Sequence, residues 1–243
     1  MIRLWRSCLI LSCFVLFGFG AGVISFFIFP YIMLKVPAER RKFAYAGVIH
    51  SSWKFFKDLL QKIKLIKVNC NDEARLANLS GKIIVASHPT FIDIVILIGL
   101  IPNSTCLAKK DTLKNPLFRN IVKSIYIIND IDLEDFKAET DKFLKEGFNI
   151  IIFPTGTRTK PDEDIKLHKG SAVISLHSNT AIVPVKITTD YPFLQKNQPI
   201  YDIGDRVVNY NIEVKDEILP QNFSHLSDIK ARKEIMDIIK REI

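Results

Sequence analysis

Cysteine is scarce in this chain of 243 residues, and the four present follow no pattern. Cys8, Cys13, Cys70 and Cys106 form no C-x-x-C pair, which argues against a disulfide scaffold and a cysteine metal cluster. Free thiols in a reducing compartment are the expectation. Repeats and low-complexity tracts are also missing, so neither a solenoid nor a long disordered tail is expected. The net charge is +8, yet most of the chain carries no basic excess. Residues 1–68 hold eleven Lys/Arg against two Asp/Glu, while the remainder holds 23 against 24. A nucleic-acid-binding protein would place its positive charge on the folded domain beside a recognisable reading motif, and none is present. Basic residues gathered in and beside an apolar segment suit anionic lipid headgroups instead.

Charge is wholly absent from 8–34, CLILSCFVLFGFGAGVISFFIFPYIML. The run exceeds the ~20 residues that a helix needs to cross a bilayer core. Its length and the lack of a small-residue cleavage site argue against a signal peptide. A spanning helix and a re-entrant hairpin both remain, because Gly18, Gly20, Gly22 and Pro30 interrupt the run. Lys35, Arg40, Arg41 and Lys42 outweigh Arg3 and Arg6, which predicts an inner (cytoplasmic) membrane protein with its main domain on the cytoplasmic side. Residues 37–62 carry Phe43, Ala46, Ile49, Trp53, Phe56 and Leu60 at roughly helical spacing. Such a basic amphipathic helix lies either in the headgroup plane or on the protein's own core, and the neighbouring anchor favours the membrane. The expected organisation is therefore an anchor over 1–62 and a catalytic domain over 63–243.

From residue 63 short apolar runs alternate with helical stretches. Strands are predicted at 65–68, 82–87, 105–108, 125–128, 149–153, 182–187 and 207–214. Helices are predicted at 72–79, 91–100, 115–123, 133–145, 171–178 and 227–241. Alternation of this kind predicts a layered α/β fold with a mixed, largely parallel sheet flanked by helices. The polar–apolar alternation of 207–214 marks an edge or half-exposed strand.

Two segments could carry chemistry. In SHPTFID, His88 closes a strand and Asp93 opens the next helix, so side chains five apart can meet across the turn. An imidazole whose ordinary pKa is near ~6.5 can remove a proton from a hydroxyl at neutral pH, and a carboxylate can fix its tautomer. A plain strand end and a helix-stabilising aspartate would give the same letters. In IIIFPTGTRT, an apolar strand runs into a turn that presents Gly156, Thr157 and Arg158, a combination suited to an anion. A β-turn with a solvated arginine is the alternative. His50, His168, His177 and His225 have no partner at a useful spacing and are expected to be structural or on the surface.

Taken together these segments resemble the lysophospholipid acyltransferase family, which includes the 1-acylglycerol-3-phosphate acyltransferases. SHPTFID matches the family's N-H-x-x-x-x-D, and FPTGTR matches its F-P-E-G-T-R. Lys169–Gly170 and Val183–Pro184–Val185 follow in the family's order. The resemblance implies a glycerol-phosphate acyltransferase-like fold with N-terminal membrane-anchoring helices. It implies His88 as general base and Asp93 as its orienting partner. Lys109, Thr155, Gly156, Thr157, Arg158 and Lys169 would bind substrate. The implied reaction is direct transfer from acyl-CoA or acyl carrier protein to the hydroxyl of a 1-acyl-glycerol-3-phosphate-type acceptor in phospholipid biosynthesis. It needs no metal and no cofactor, and its partners are membrane lipids and the donor carrier. Three departures stand out: Ser87 replaces an asparagine, Thr155 replaces the motif glutamate, and SIYIIND lacks the family's Asp-Arg pair. Ser87 can still hydrogen-bond, but the last two departures point to a phosphate-poor site, as in short bacterial relatives associated with polyene-type lipids. A thioesterase and an inactive membrane scaffold are the rival readings.

Overall fold

A computed structural model describes residues 1–108, 110–128, 130–160 and 166–243. The uncharged N-terminal run is helical throughout. Helix α1 (Ile2–Val23) passes through a π turn at Ile24–Ile28 into α2 (Phe29–Lys35), a continuous 34 residues. At 1.5 Å per residue it is about 50 Å long. No hairpin forms at its glycines, and Pro30, which has no N–H to give, directly follows the π turn. One side of the run is buried through Arg6, Ile10, Cys13, Ala21 and Ile24, whereas Leu4, Trp5, Val15, Phe19 and Phe27 face outward.

Helix α3 (Ala38–Lys62) buries Ala46, Ile49, Trp53, Phe56 and Leu60. The chain then alternates as expected. Strands β1 (Ile66–Cys70), β2 (Ile83–Ala86), β3 (Ser104–Ala108), β4 (Ile127–Ile128), β5 (Asn149–Ile152), β6 (Ile182–Thr189) and β7 (Val208–Val214) form one sheet. Helices α4 (Glu73–Ala77), α5 (Asp93–Leu100), α6 (Pro116–Ile125), α7 (Leu133–Lys145), α8 (Gly170–Ser178) and α9 (Asp228–Glu242) surround it. The strand order is β1-β7-β6-β2-β5-β3-β4, parallel except where β6 meets β7.

The central strands β2 and β5 are buried at every position because both faces are covered, and all but Asn149 of their residues are apolar. Ile84, Ala86, Ile151, Val183 and Val185 point to a core shared with α1, α3 and α5. Their alternates Ile83, Val85, Ile150, Ile152 and Ile182 point to a second core under α7, α8 and α9. Residues on both sides of position 62 therefore share the first core. The stripe on α3 is covered by the protein itself, and this corrects the expectation that it lies in the headgroup plane. The reason is α5, which after Asp93 reads IVILIGL, is apolar on all sides and accepts α3 along its length. The helices touch closely at Gly99, where an added Cβ would sit 3.0 Å from the Lys54 backbone nitrogen. Strand β7 is also not an edge. It lies between β1 and β6, and its alternation reflects one buried and one half-exposed face.

Candidate active site

Strands β2 and β5 are parallel neighbours, so their carboxyl ends open side by side, where α/β sheets place their ligands. Beyond β2 the chain bends through His88–Pro89–Thr90 into α5 and brings His88 back onto Asp93. The His88 Nδ1 to Asp93 Oδ2 distance is 2.8 Å. Asp93 is fully buried, and its remaining lone pairs are all engaged by donors. The Thr90 N–H donates to Oδ2 at 2.8 Å, and the Thr90 hydroxyl donates to Oδ1 at 2.6 Å. The hydroxyl of Tyr210 in β7 also donates to Oδ1. Full burial, followed by the adjacent Asp93, pushes the Tyr210 phenol well above its ordinary range, so it stays protonated as a donor. With the carboxylate acting only as acceptor, Nδ1 carries the proton and the Nε2 lone pair is left free.

The His88 ring lies flat on Phe153, with centroids 4.1 Å apart and planes 19° from parallel. Carboxylate and phenyl ring together set both the rotation and the plane of the imidazole. Ser87, in place of the expected asparagine, ties the end of β2 to β6. Its hydroxyl accepts from Ile187 N–H at 2.7 Å and donates to Ile187 C=O at 3.1 Å.

His88 opens into a cavity of about 610 Å³ lined also by Leu107, Phe153, Thr155, Gly156, Thr157 and His168. Beyond β5 the turn closes through Gly156 N–H to Phe153 C=O at 3.0 Å. Gly156 has φ +64°, a conformation that disfavours any side chain. The Thr155 hydroxyl donates to Thr157 C=O at 2.7 Å, which closes the turn further. Three expected substrate-binding residues, Thr155, Gly156 and Thr157, thus line one cavity with His88. Arg158 and Lys169 do not. The Arg158 Nη1 donates to Leu194 C=O at 3.1 Å and to Gln195 C=O at 3.0 Å, while its guanidinium stands over Phe91 at 5.6 Å. Lys169 is exposed before α8, and Lys109 lies outside the described residues.

Thr90, Phe153, Tyr210 and His168 are site residues that the spacing did not single out. Thr90 was legible in principle, since a hydroxyl three residues before a helix-opening aspartate can bond to it. Tyr210, 117 positions from Asp93, had no local signal. His50 is structural as expected, with Nδ1 against Ile98 C=O at 2.7 Å. Cys106 in β3 is pushed up to about 12 by full burial, so it remains a thiol and is no nucleophile at neutral pH.

A family profile described as Acyltransferase matches residues 67–188, half of the chain. This chain belongs to the acyltransferase family. The acyltransferase match begins in β1 and ends in β6, so it contains both the His88–Asp93 pair and the 153–158 turn. It is the family that SHPTFID and FPTGTR resemble. Among relatives, the 1-acyl-sn-glycerol-3-phosphate acyltransferase of Cocos nucifera is 30% identical over 126 residues, 47% of this chain and 40% of that protein. The enzyme of the same name from Bacillus subtilis (strain 168) is 29% identical over 140 residues, 54% of this chain and 69% of that one. The match with the plant relative thus spans less than half of its length. The crystal structure of the 1-acyl-sn-glycerophosphate acyltransferase PlsC from Thermotoga maritima superposes with a TM-score of 0.70 at 19% identity. That superposition covers 98% of this chain and 96% of the other, N-terminal helices included.

The buried hydroxyl of Tyr210 provides a first test. Tyr210→Phe removes one donor from Asp93 and is expected to lower kcat about tenfold at nearly constant KM. The same change should lower stability by about 1–3 kcal/mol, the usual loss for a buried bond to a charged group. Steady-state kinetics and urea unfolding on one preparation measure both.

Proposed function

We propose that the protein transfers a fatty acyl group from a thioester donor, acyl-CoA or acyl carrier protein, to the free hydroxyl of a 1-acyl-glycerol-3-phosphate-type acceptor. One observation carries this reading: His88 is held through Nδ1 by a buried carboxylate, which leaves Nε2 as the free nitrogen in a lined cavity. Nε2 takes the proton as the acceptor oxygen forms its bond to the thioester carbonyl carbon. The carbon–sulfur bond then breaks, and the leaving thiolate takes the proton back from Nε2. Each proton and electron pair is accounted for without an acyl-enzyme. Asp93 orients the ring and stabilises the transient imidazolium. The names of the plant and bacterial relatives support the acceptor class.

The N-terminal helices supply the setting. A 34-residue run whose most apolar 18-residue stretch has a mean hydropathy of 2.3, buried on one side and apolar on the other, lies against the domain instead of leaving it. It is a membrane-facing surface that dips into one leaflet while the sheet stays in water, on the cytoplasmic side if the basic residues 35–42 follow the usual charge bias. An apolar cavity of about 460 Å³ between α1 and α3, lined by Phe17, Gly20, Ile24, Trp53 and Phe56, gives an acyl chain a place outside water.

The test is a transfer assay on the full chain in anionic phospholipid vesicles, with a labelled acyl thioester and 1-acyl-glycerol-3-phosphate. Labelled diacyl product should form only when both substrates are present. Free fatty acid released without acceptor would mark a thioesterase. No turnover with CoA or carrier-protein donors would leave a non-catalytic membrane protein.

A further inference from the structure

The cavity in front of His88 has to hold a phosphate as well as a hydroxyl, if the proposed acceptor is correct. Only two carbons and one oxygen separate the reacting oxygen from phosphorus in that acceptor, so the anion must sit in the same cavity as the base. Charge there is sparse. Arg158 is turned onto the carbonyls of Leu194 and Gln195, and Lys169 stands off the lining. Among the described lining residues, one side chain besides His88 can carry positive charge, and it is His168.

His168 is placed with some definition. Its N–H donates to Pro154 C=O at 2.7 Å, which clamps it to the turn that ends β5. Its Cδ2 and Nε2 lie 3.5 Å from the point where a Cβ on Gly156 would be. The imidazole therefore stands against a stretch of bare backbone, with no side chain between the ring and the turn. Among the described residues no side-chain hydrogen bond engages the ring. A donor facing an exposed peptide surface, in the same cavity as the catalytic base, is a small anion receptor. Imidazole meets a phosphate oxygen through N–H whether neutral or charged, and more strongly when charged.

We infer that His168 is the acceptor-phosphate ligand of this enzyme and sets its preference for phosphate-bearing over neutral lysolipids. The inference rests on the transferase reading above and adds the residue that selects the acceptor. His168 is exposed and clamped only through its backbone, so replacing the ring leaves the fold intact.

The experiment compares wild type, His168→Asn and His168→Lys in vesicles, with 1-acyl-glycerol-3-phosphate and with its phosphate-free counterpart, a monoacylglycerol. Asparagine should raise KM for the phosphate acceptor tenfold or more, with kcat within about threefold and the neutral acceptor unaffected. Lysine, which restores a cation at this position, should recover most of the loss. Two results overturn the assignment alone: an asparagine variant that keeps the wild-type preference, or one that loses both acceptors equally. A wild type that acylates the neutral acceptor but not the phosphate-bearing one overturns the acceptor class and this inference with it. Wild type inert toward both overturns the transferase reading itself.

Discussion

Alanine at position 88 should reduce acyl transfer by about a thousandfold or more while the protein still folds. The magnitude follows from the role. A positioned base contributes about 10²–10⁴ to such a reaction, and without it the acceptor hydroxyl keeps its proton until it meets water. The ring is partly exposed and bonds through Nδ1 alone, so its removal disturbs little beyond the stacking on Phe153. His88→Ala is therefore expected to unfold within a few degrees of wild type, which separates chemistry from collapse. Acceptor binding should survive, because the turn at Gly156 and the ring of His168 are untouched. Initial rates in vesicles, with a melting curve on the same sample, provide the measurement. A variant that transfers at the wild-type rate removes His88 from the mechanism and leaves the cavity without a base.

Asparagine at position 93 should be nearly as damaging, for a different reason. The carboxylate accepts from Nδ1, from Thr90 N–H and from two hydroxyls, and it has nothing to donate. An asparagine places an amide N–H₂ among these donors. If that group faces the imidazole it must donate to Nδ1, the proton moves to Nε2, and the lone pair needed for catalysis is gone. If it faces the hydroxyls, Thr90 and Tyr210 must turn to accept from the amide instead of donating, and the transient imidazolium loses its counter-charge. A loss of 10²–10⁴ in kcat, roughly the range seen when a histidine is held in the wrong tautomer, is expected with little change in KM. Stability should fall by about 1–3 kcal/mol as buried groups lose their acceptor. His88→Ala/Asp93→Asn should be scarcely slower than His88→Ala alone, because the aspartate acts through the histidine. Additive losses would mean that Asp93 contributes independently and that the paired reading is wrong.

Much of this arrangement is legible in the letters because it is local. All seven predicted strands are present, since apolar β-branched runs such as IIVA and NIII suit a pleated surface covered on both faces. The His88–Asp93 pair is legible for a similar reason. A strand that ends in His-Pro-Thr and re-enters as a helix must double back within five residues. What failed to show was set by partners distant in the chain. The stripe on α3 reads the same whether lipid or α5 covers it. Strand 207–214 reads the same at an edge or inside the sheet. Arg158 carries five donors in any environment, and only the segment around Leu194 decided where they point.

The sequence by itself determined the long apolar N-terminal helix, the alternation of strands and helices, and the pairing of His88 with Asp93, because each depends on residues within a few positions of one another. Tertiary structure alone brought Tyr210 under Asp93, His168 into the cavity of His88, and Arg158 away from it. Those outcomes depend on which apolar faces cover each other when the layers close, a choice that side-chain periodicity leaves open.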